Sequence, residues 1–275
     1  MKPQPQQDGL QAAQAWRLDG ARSEAFSDEV IEEAPVALLY NGRAHAVMMA
    51  TPLDLEDFAL GFALTEGIVG DAEEFELVDC QRTQHGHSLQ ALSPHARYQA
   101  LEQRRRNLAG RSGCGLCGVE SLQDALRPVR RVASGATIDT RAISRGMARL
   151  SREQPLNHRS GGVHAAGFVH ADGLVVREDV GRHNALDKLV GALARGSVDA
   201  QASAAWRRGE GFLAITSRAS SEIVQKAAGA GIGVIAAISA PTSLAIRIAG
   251  EAGITLIGFA RAEAMNVYTH PQRLR

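Results

Sequence analysis

The chain has 275 residues, 45% of them hydrophobic, and its 30 Lys and Arg balance 30 Asp and Glu to a formal charge of zero. That length and apolar content suit one large core or two medium ones, and two domains are the default expectation. With the two signs interspersed, no whole-molecule field attracts nucleic acid or an anionic membrane, so an anionic ligand has to be held by a local arrangement.

In chain order, the opening MKPQPQQDGLQAAQAW lacks the basic start and apolar run of a secretion signal, and its Gln and Pro content predicts a disordered tail over residues 1–20. A smaller α+β portion is expected over residues 21–110. Within it, apolar PVALLY, the turn pair Asn41-Gly42 and AHAVMMA read as a hairpin. From Leu53 to Glu66, Leu55, Phe58, Ala59, Phe62 and Ala63 recur at helical spacing, with Asp54, Glu56 and Asp57 in the first turn. The stretch Gln81 to Arg111 is polar and carries the basic run Arg104-Arg105-Arg106 before SGCGLCG, which is placed on a mobile loop at 111–118 and followed by a short helix through Ser121 and Leu126.

The remainder, 119–275, reads as an α/β domain. An extended Gly173 to Arg177 leads to a helix through Leu186, Leu189, Val190 and Leu193. Then FLAIT, GVIAAIS and ITLIGFA alternate with two helical patterns, Ile223 to Ala228 and Leu244 to Ala252, giving βαβαβ and hence a parallel sheet covered by helices. Ligands of such sheets bind outside the carboxyl ends of the strands, which here are Thr216-Ser217-Arg218, Ser239-Ala240-Pro241-Thr242 and Phe259-Ala260-Arg261. Arg218 and Arg261 on one rim suit a phosphate-bearing ligand, because a guanidinium grips phosphate with paired hydrogen bonds; the alternative is that both are solvated loop arginines. The longest apolar stretch, Gly231 to Ala240, is about half of the roughly 20 residues a spanning helix needs, so no membrane segment is predicted and a cytoplasmic location is expected.

Three cysteines, Cys80, Cys114 and Cys117, are too few and too odd in number for a disulfide framework. Cys80 reads as a small buried hydrophobe. The spacing of Cys114-Gly115-Leu116-Cys117 puts two thiols within reach of a common partner and is open to three chemistries. Structural zinc needs about four ligands, and neither a second CxxC nor a His pair at finger spacing exists, so no metal is expected. A thioredoxin-type dithiol sits straight after a strand, whereas polar, basic sequence precedes this one. A persulfide carrier needs only a reactive thiolate and an acceptor, with the second thiol to assist release.

Glu178 to Asn184, with Asp187 and Lys188, is a second dense polar cluster where a strand hands over to a helix. His183 or Asn184 can cap that helix and the cluster can hold a ligand's polar edge; the plainer reading is a capped helix start with an Asp179/Arg182 ion pair. His164 follows a Gly pair and reads as a core or loop histidine; a zinc deaminase would carry HxE here and a later PCxxC, and neither is present.

Taken together, SGCGLCG at Ser112, SGGVHAAGF at Ser160, REDVGRHNALDKLVG at Arg177, SAPTSLAI at Ser239 and FARAEAMNVY at Phe259 resemble the formate dehydrogenase accessory sulfurtransferase family, FdhD. The resemblance implies a homodimer whose larger domain is a cytidine-deaminase-like α/β layer lacking the zinc site. It implies a carrier that takes persulfide sulfur from a cysteine desulfurase and delivers it to the molybdenum bis-guanine-dinucleotide cofactor of formate dehydrogenase. On this chain it assigns the persulfide to Cys114 with Cys117 as partner, and cofactor binding to Phe259, Ala260, Arg261, Ala262, Glu263 and Ala264; the strand-end and polar-cluster readings add Arg218 and His183 as further candidates. Where the family has Ser-Gly-Arg, this chain reads Thr216-Ser217-Arg218, keeping the arginine and losing the glycine. A second reading of the residues is a chaperone that shelters the cofactor without sulfur chemistry.

Overall fold

The computed structural model describes residues 8–20, 22–99, 129–133, 135, 137–196 and 198–275. Cys114, Cys117, the loop expected at 111–118 and the helix expected after it lie outside the described residues.

The expected disordered tail is, from Leu10 onward, an antiparallel ribbon: β1 (Leu10–Asp19) pairs with β2 (Arg22–Ile31) from Leu10↔Ile31 to Asp19↔Arg22. The polar composition hides a period of two, with Leu10, Ala12, Trp16 and Leu18 on one face. That face is barely covered, for Trp16 is 70% and Leu18 74% exposed.

The next strands form a four-stranded sheet in the order β4-β3-β6-β5. β3 (Ala34–Tyr40) and β4 (Arg43–Ala50) are the expected hairpin, and Asn41 (φ 51) and Gly42 (φ 79) take the left-handed conformations that a two-residue turn demands. β5 (Glu76–Thr83) and β6 (Gly86–Leu92) fall largely where the sequence reads as merely polar. One side of β5 faces solvent, so Cys80 is exposed rather than buried. Over the inner face lies α1 (Leu55–Thr65), burying Phe58, Ala59, Phe62 and Ala63 against Val36, Leu38, Tyr40 and Leu89.

The second sheet has six strands in the order β12-β11-β10-β9-β7-β8, formed by β7 (His164–Val169), β8 (Leu174–Asp179), β9 (Phe212–Ile215), β10 (Val234–Ala237), β11 (Thr255–Arg261) and β12 (Ala264–Val267). β9, β10 and β11 are mutually parallel, as the βαβαβ pattern requires. β7 and β12 run against their neighbours, so the start of β7 and the end of β8 lie on the same edge as the carboxyl ends of the parallel strands.

Helix α2 (Thr140–Arg152), capped by Asp139, covers one face through Ile143, Met147 and Leu150; α3 (Pro155–Ser160) follows it. On the other face lie α4 (Arg182–Arg195), α5 (Ala200–Arg207), α6 (Ser221–Gly229) and α7 (Ser243–Ala252), which bury the largest apolar cluster.

The four- and six-stranded sheets are joined through α1 and α4, which cross in contact. A β-carbon on Gly61 would fall 1.7 Å from the Asp187 carbonyl oxygen, and one on Gly191 would fall 1.9 Å from that of Asp57. Only glycine permits so close a crossing. The chain is thus a mixed α/β molecule whose two larger sheets are bridged by the packed helices α1 and α4, and among the described residues no helix is long and apolar enough to cross a membrane.

Candidate functional site at the strand-end rim

The carboxyl edge of the six-stranded sheet gathers most of the candidate residues. β9 ends into Thr216, whose Oγ1 accepts from Ala165 N at 2.8 Å, tying this end to the start of β7. Beyond it Ser217 is buried and Arg218 exposed. Ser217 has no positive φ, so the glycine of the family pattern is not needed for the backbone here. The next turn docks by an Ala219↔Pro241 bridge, and Ser220 and Thr242 cap α6 and α7 through Ile223 N (3.4 Å) and Ala245 N (3.2 Å).

Phe259 to Ala264 carries the rim's most unusual backbone. Gly258 pairs with Asn266 but Arg261 with Ala264, so Phe259 and Ala260 bulge opposite one residue of β12. Phe259 (φ 52) and Ala262 (φ 50) both adopt the left-handed region without being glycine, at a cost of about 1–2 kcal/mol each. The Phe259 ring stands 40% exposed, Ala260 is buried, and Glu263 and Ala264 lie on the exposed return. Arg261 Nε donates to the Ile238 carbonyl at 2.8 Å, which fixes the guanidinium against the end of β10 while the side chain stays exposed.

The cluster from Glu178 to Lys188 divides in two. Most of it is structural: Glu178 accepts from Leu156 N and Asn157 N, and buried Asp179 pairs with Lys188 at 2.7 Å, not with Arg182. Asn184 donates to Asp179 and to the Met49 carbonyl, and Asp187 takes Lys226 at 2.9 Å and Thr65 at 2.6 Å. Neither His183 nor Asn184 caps α4, because the N-cap is Gly181.

The other part faces the rim. His183 Nε2 lies 2.7 Å from Glu222 and 3.3 Å from Ser220 Oγ. Its pKa is pushed down to about 4, chiefly by burial, with Arg182 and Lys226 adding to the fall and Glu222 opposing it. His164, the first residue of β7, is likewise held below its ordinary value by burial and by Arg182. The sequence signal for His164 and Arg182 as rim residues was their position beside strand ends, which only the antiparallel course of β7 reveals. Among the described residues no three His, Cys, Asp or Glu side chains group as metal ligands.

Residues 31–275 match the model of the FdhD/NarQ family. Proteins called "Sulfur carrier protein FdhD" from Xanthomonas campestris pv. campestris (strain B100) and from Cupriavidus necator are 54% and 52% identical, over 94% and 90% of this chain and 90% and 84% of their own. A crystal structure of a formate dehydrogenase accessory protein from Desulfotalea psychrophila has a TM-score of 0.74 at 24% identity, covering 97% of this chain and 99% of that one, and so shares the fold. A match over nearly the whole sequence at more than half identity leaves no room for a different lineage: the chain belongs to the FdhD/NarQ family.

Proposed function

We propose that this protein is the sulfur carrier of formate dehydrogenase maturation, holding persulfide sulfur on Cys114 and delivering it to the molybdenum bis-guanine-dinucleotide cofactor, bound as a client at the strand-end rim. The observation that supports this best is the extent of its identity with proteins named sulfur carriers. The rim adds a place for the client's nucleotide ends. There the bulged Phe259 stands partly exposed, and Arg218 and Arg261 are exposed.

The chemistry asks little of the fold. The Cys114 thiolate attacks the sulfane sulfur of a cysteine desulfurase persulfide, the S–S bond to the desulfurase breaks, and the desulfurase cysteine leaves as thiolate. The persulfide anion would then give its terminal sulfur, at the zero oxidation level, to the client: the Cys114 S–S bond breaks, a molybdenum–sulfur bond forms with the two electrons supplied by reduced molybdenum of the client, and Cys114 leaves as thiolate, with Cys117 assisting release. The remaining parts of the reading are a cytoplasmic homodimer, a six-stranded layer of cytidine-deaminase-like descent without its zinc site, and formate dehydrogenase as the recipient.

Mass spectrometry of the protein incubated with a cysteine desulfurase and cysteine tests the proposal. Added sulfur on Cys114, and loss of both loading and formate dehydrogenase maturation in Cys114→Ala, are expected. Full maturation by that variant would leave only a chaperone that shelters the cofactor.

A further inference from the structure

Helix α2 turns a stripe of arginine to solvent. At about 100° per residue, Arg141, Arg145, Arg149 and Arg152 fall within roughly 80° of one another, on the side opposite Ile143, Met147 and Leu150, which enter the core. All four arginines are exposed. Between its caps the helix carries no acid, although the chain as a whole sets 30 Asp and Glu against 30 Lys and Arg. A face that served only solubility would mix the signs and gain from opposite charges one turn apart, whereas here the spacing of four sets cation beside cation. Arg149 and Arg152 suit the last turn, but Arg141 stands in the first, where the helix dipole opposes it. Stability therefore does not account for the stripe.

The carboxylates at its two ends are committed. Asp139, which lies within the field of Arg145 and Arg141, caps the helix by accepting from Arg141 N at 2.7 Å and Ala142 N at 3.2 Å. Glu153 takes Arg149 at 2.5 Å, and among the described residues no carboxylate comes within ion-pair distance of Arg141, Arg145 or Arg152. The course of the helix matters as much as its sign. Ahead of α2, Ile138 bridges Leu274, and the adjacent Arg273 donates to the Gly233 carbonyl just before β10 begins. Behind it, the Leu156 and Asn157 N–H groups of α3 hold Glu178 at the end of β8. The stripe thus crosses the sheet from the amino edge of the parallel strands to the rim, over about 16 Å.

We propose that the arginine stripe of α2 is the docking face for an acidic surface of the protein that receives the cofactor, which has to approach the rim to take it. This rests on the reading of the rim as the cofactor site. Guanidinium forks match the carboxylates of such a partner, and a row of exposed like charges steers its approach and fixes its orientation. A nucleic acid would call for aromatic side chains on which bases stack, and α2 has none; a membrane would call for the apolar stripe of α2, which is turned into the core.

Binding of the full chain to cofactor-free formate dehydrogenase, read by biolayer interferometry at low and high salt, tests it. The wild type is compared with a triple charge reversal, Arg141→Glu, Arg145→Glu and Arg152→Glu. The wild type should bind more weakly as salt rises, and the reversal should bind about tenfold or more weakly at low salt with its salt dependence largely gone. GDP affinity and sulfur loading on Cys114 should be unchanged, since Arg218, Arg261 and the thiol are untouched. The neutral triple variant with glutamine at the same positions should fall between the two, and it decides the matter if the reversal does not fold. Undiminished dehydrogenase binding in both variants overturns the proposal. A loss confined to the cysteine desulfurase, to DNA or to phosphatidylserine vesicles overturns it too, by giving the stripe to another partner. A wild type that binds no dehydrogenase also overturns it, while sulfur on Cys114 and GDP affinity in the same preparation decide separately whether the carrier and the rim readings stand.

Discussion

Lys188 and Asp179 meet at 2.7 Å with neither side chain exposed, and together they hold both backbone groups of Thr51, Asp179 accepting from its N–H at 3.0 Å and Lys188 donating to its carbonyl at 2.9 Å. Thr51 joins β4 to α1. The ion pair belongs to the six-stranded half, so it fixes the smaller sheet from across the interface. Lys188→Met, which leaves Asp179 buried without its cation, should cost about 3–5 kcal/mol and lower the melting temperature by roughly 10 °C or more. Replacing Asp179 as well should not restore stability, because Gly181 N and Asn184 Nδ2 also depend on that carboxylate. Thermal unfolding followed by circular dichroism checks both variants.

The helix crossing gives a sharper contrast. Gly191→Ala drives a methyl into the Asp57 carbonyl and should destabilise by about 3 kcal/mol or more, as overpacking does when backbone is the obstacle. Gly250→Ala, inside α7 with its nearest neighbour 3.9 Å away, should be neutral or stabilise by up to about 1 kcal/mol. Urea denaturation of the two variants reads the difference.

Stability should fall in mild acid through His183. Its folded pKa of about 4 lies below the ordinary 6.5, so between those values the unfolded chain binds a proton that the folded one refuses. The stability of burying the neutral ring is complete above about pH 6.5 and is lost as pH falls toward 4; His164 acts in the same direction. The loss for His183 is up to about 3 kcal/mol. In melting curves taken from pH 7 to 4, His183→Gln should show a shallower decline than the wild type.

Arg261→Ala and Arg218→Ala should each lower the affinity for GDP about tenfold or more, since one charge-assisted hydrogen bond is worth roughly 1.5–3 kcal/mol. Sulfur loading on Cys114 should be unaffected, because it needs only the thiol and the desulfurase. Calorimetry and mass spectrometry on the same preparation separate the two.

The parts of this fold that were legible in the sequence were those where one physical signal acts alone. The buried parallel strands were short apolar runs, and Asn41-Gly42 announced its turn. β1 and β2 escaped because the Gln- and Pro-rich opening of the chain reads as a tail and draws the eye from the alternation of Leu10, Ala12 and Trp16. β5 and β6 escaped because much of β5 is solvent-facing and reads as loop. In the site, Arg261 and Arg218 could be placed from the strand ends, but the polar density at Glu178 to Lys188 misled. Asp179, Asp187 and Lys188 each take a partner more than a hundred residues distant, Thr51 or Thr65, which no local pattern shows.

The interlock of Gly61 with Asp187 and Gly191 with Asp57 has a mechanical meaning. With backbone against backbone at the crossing, neither helix can slide or roll without breaking contact, so the two sheets turn as one solid body. On the outer side of the smaller sheet, Val47 (64% exposed) and Met49 (48%) face outward. Whatever grips that surface therefore pulls on the rim as a handle moves a blade, for the Met49 carbonyl itself holds Asn184 next to His183.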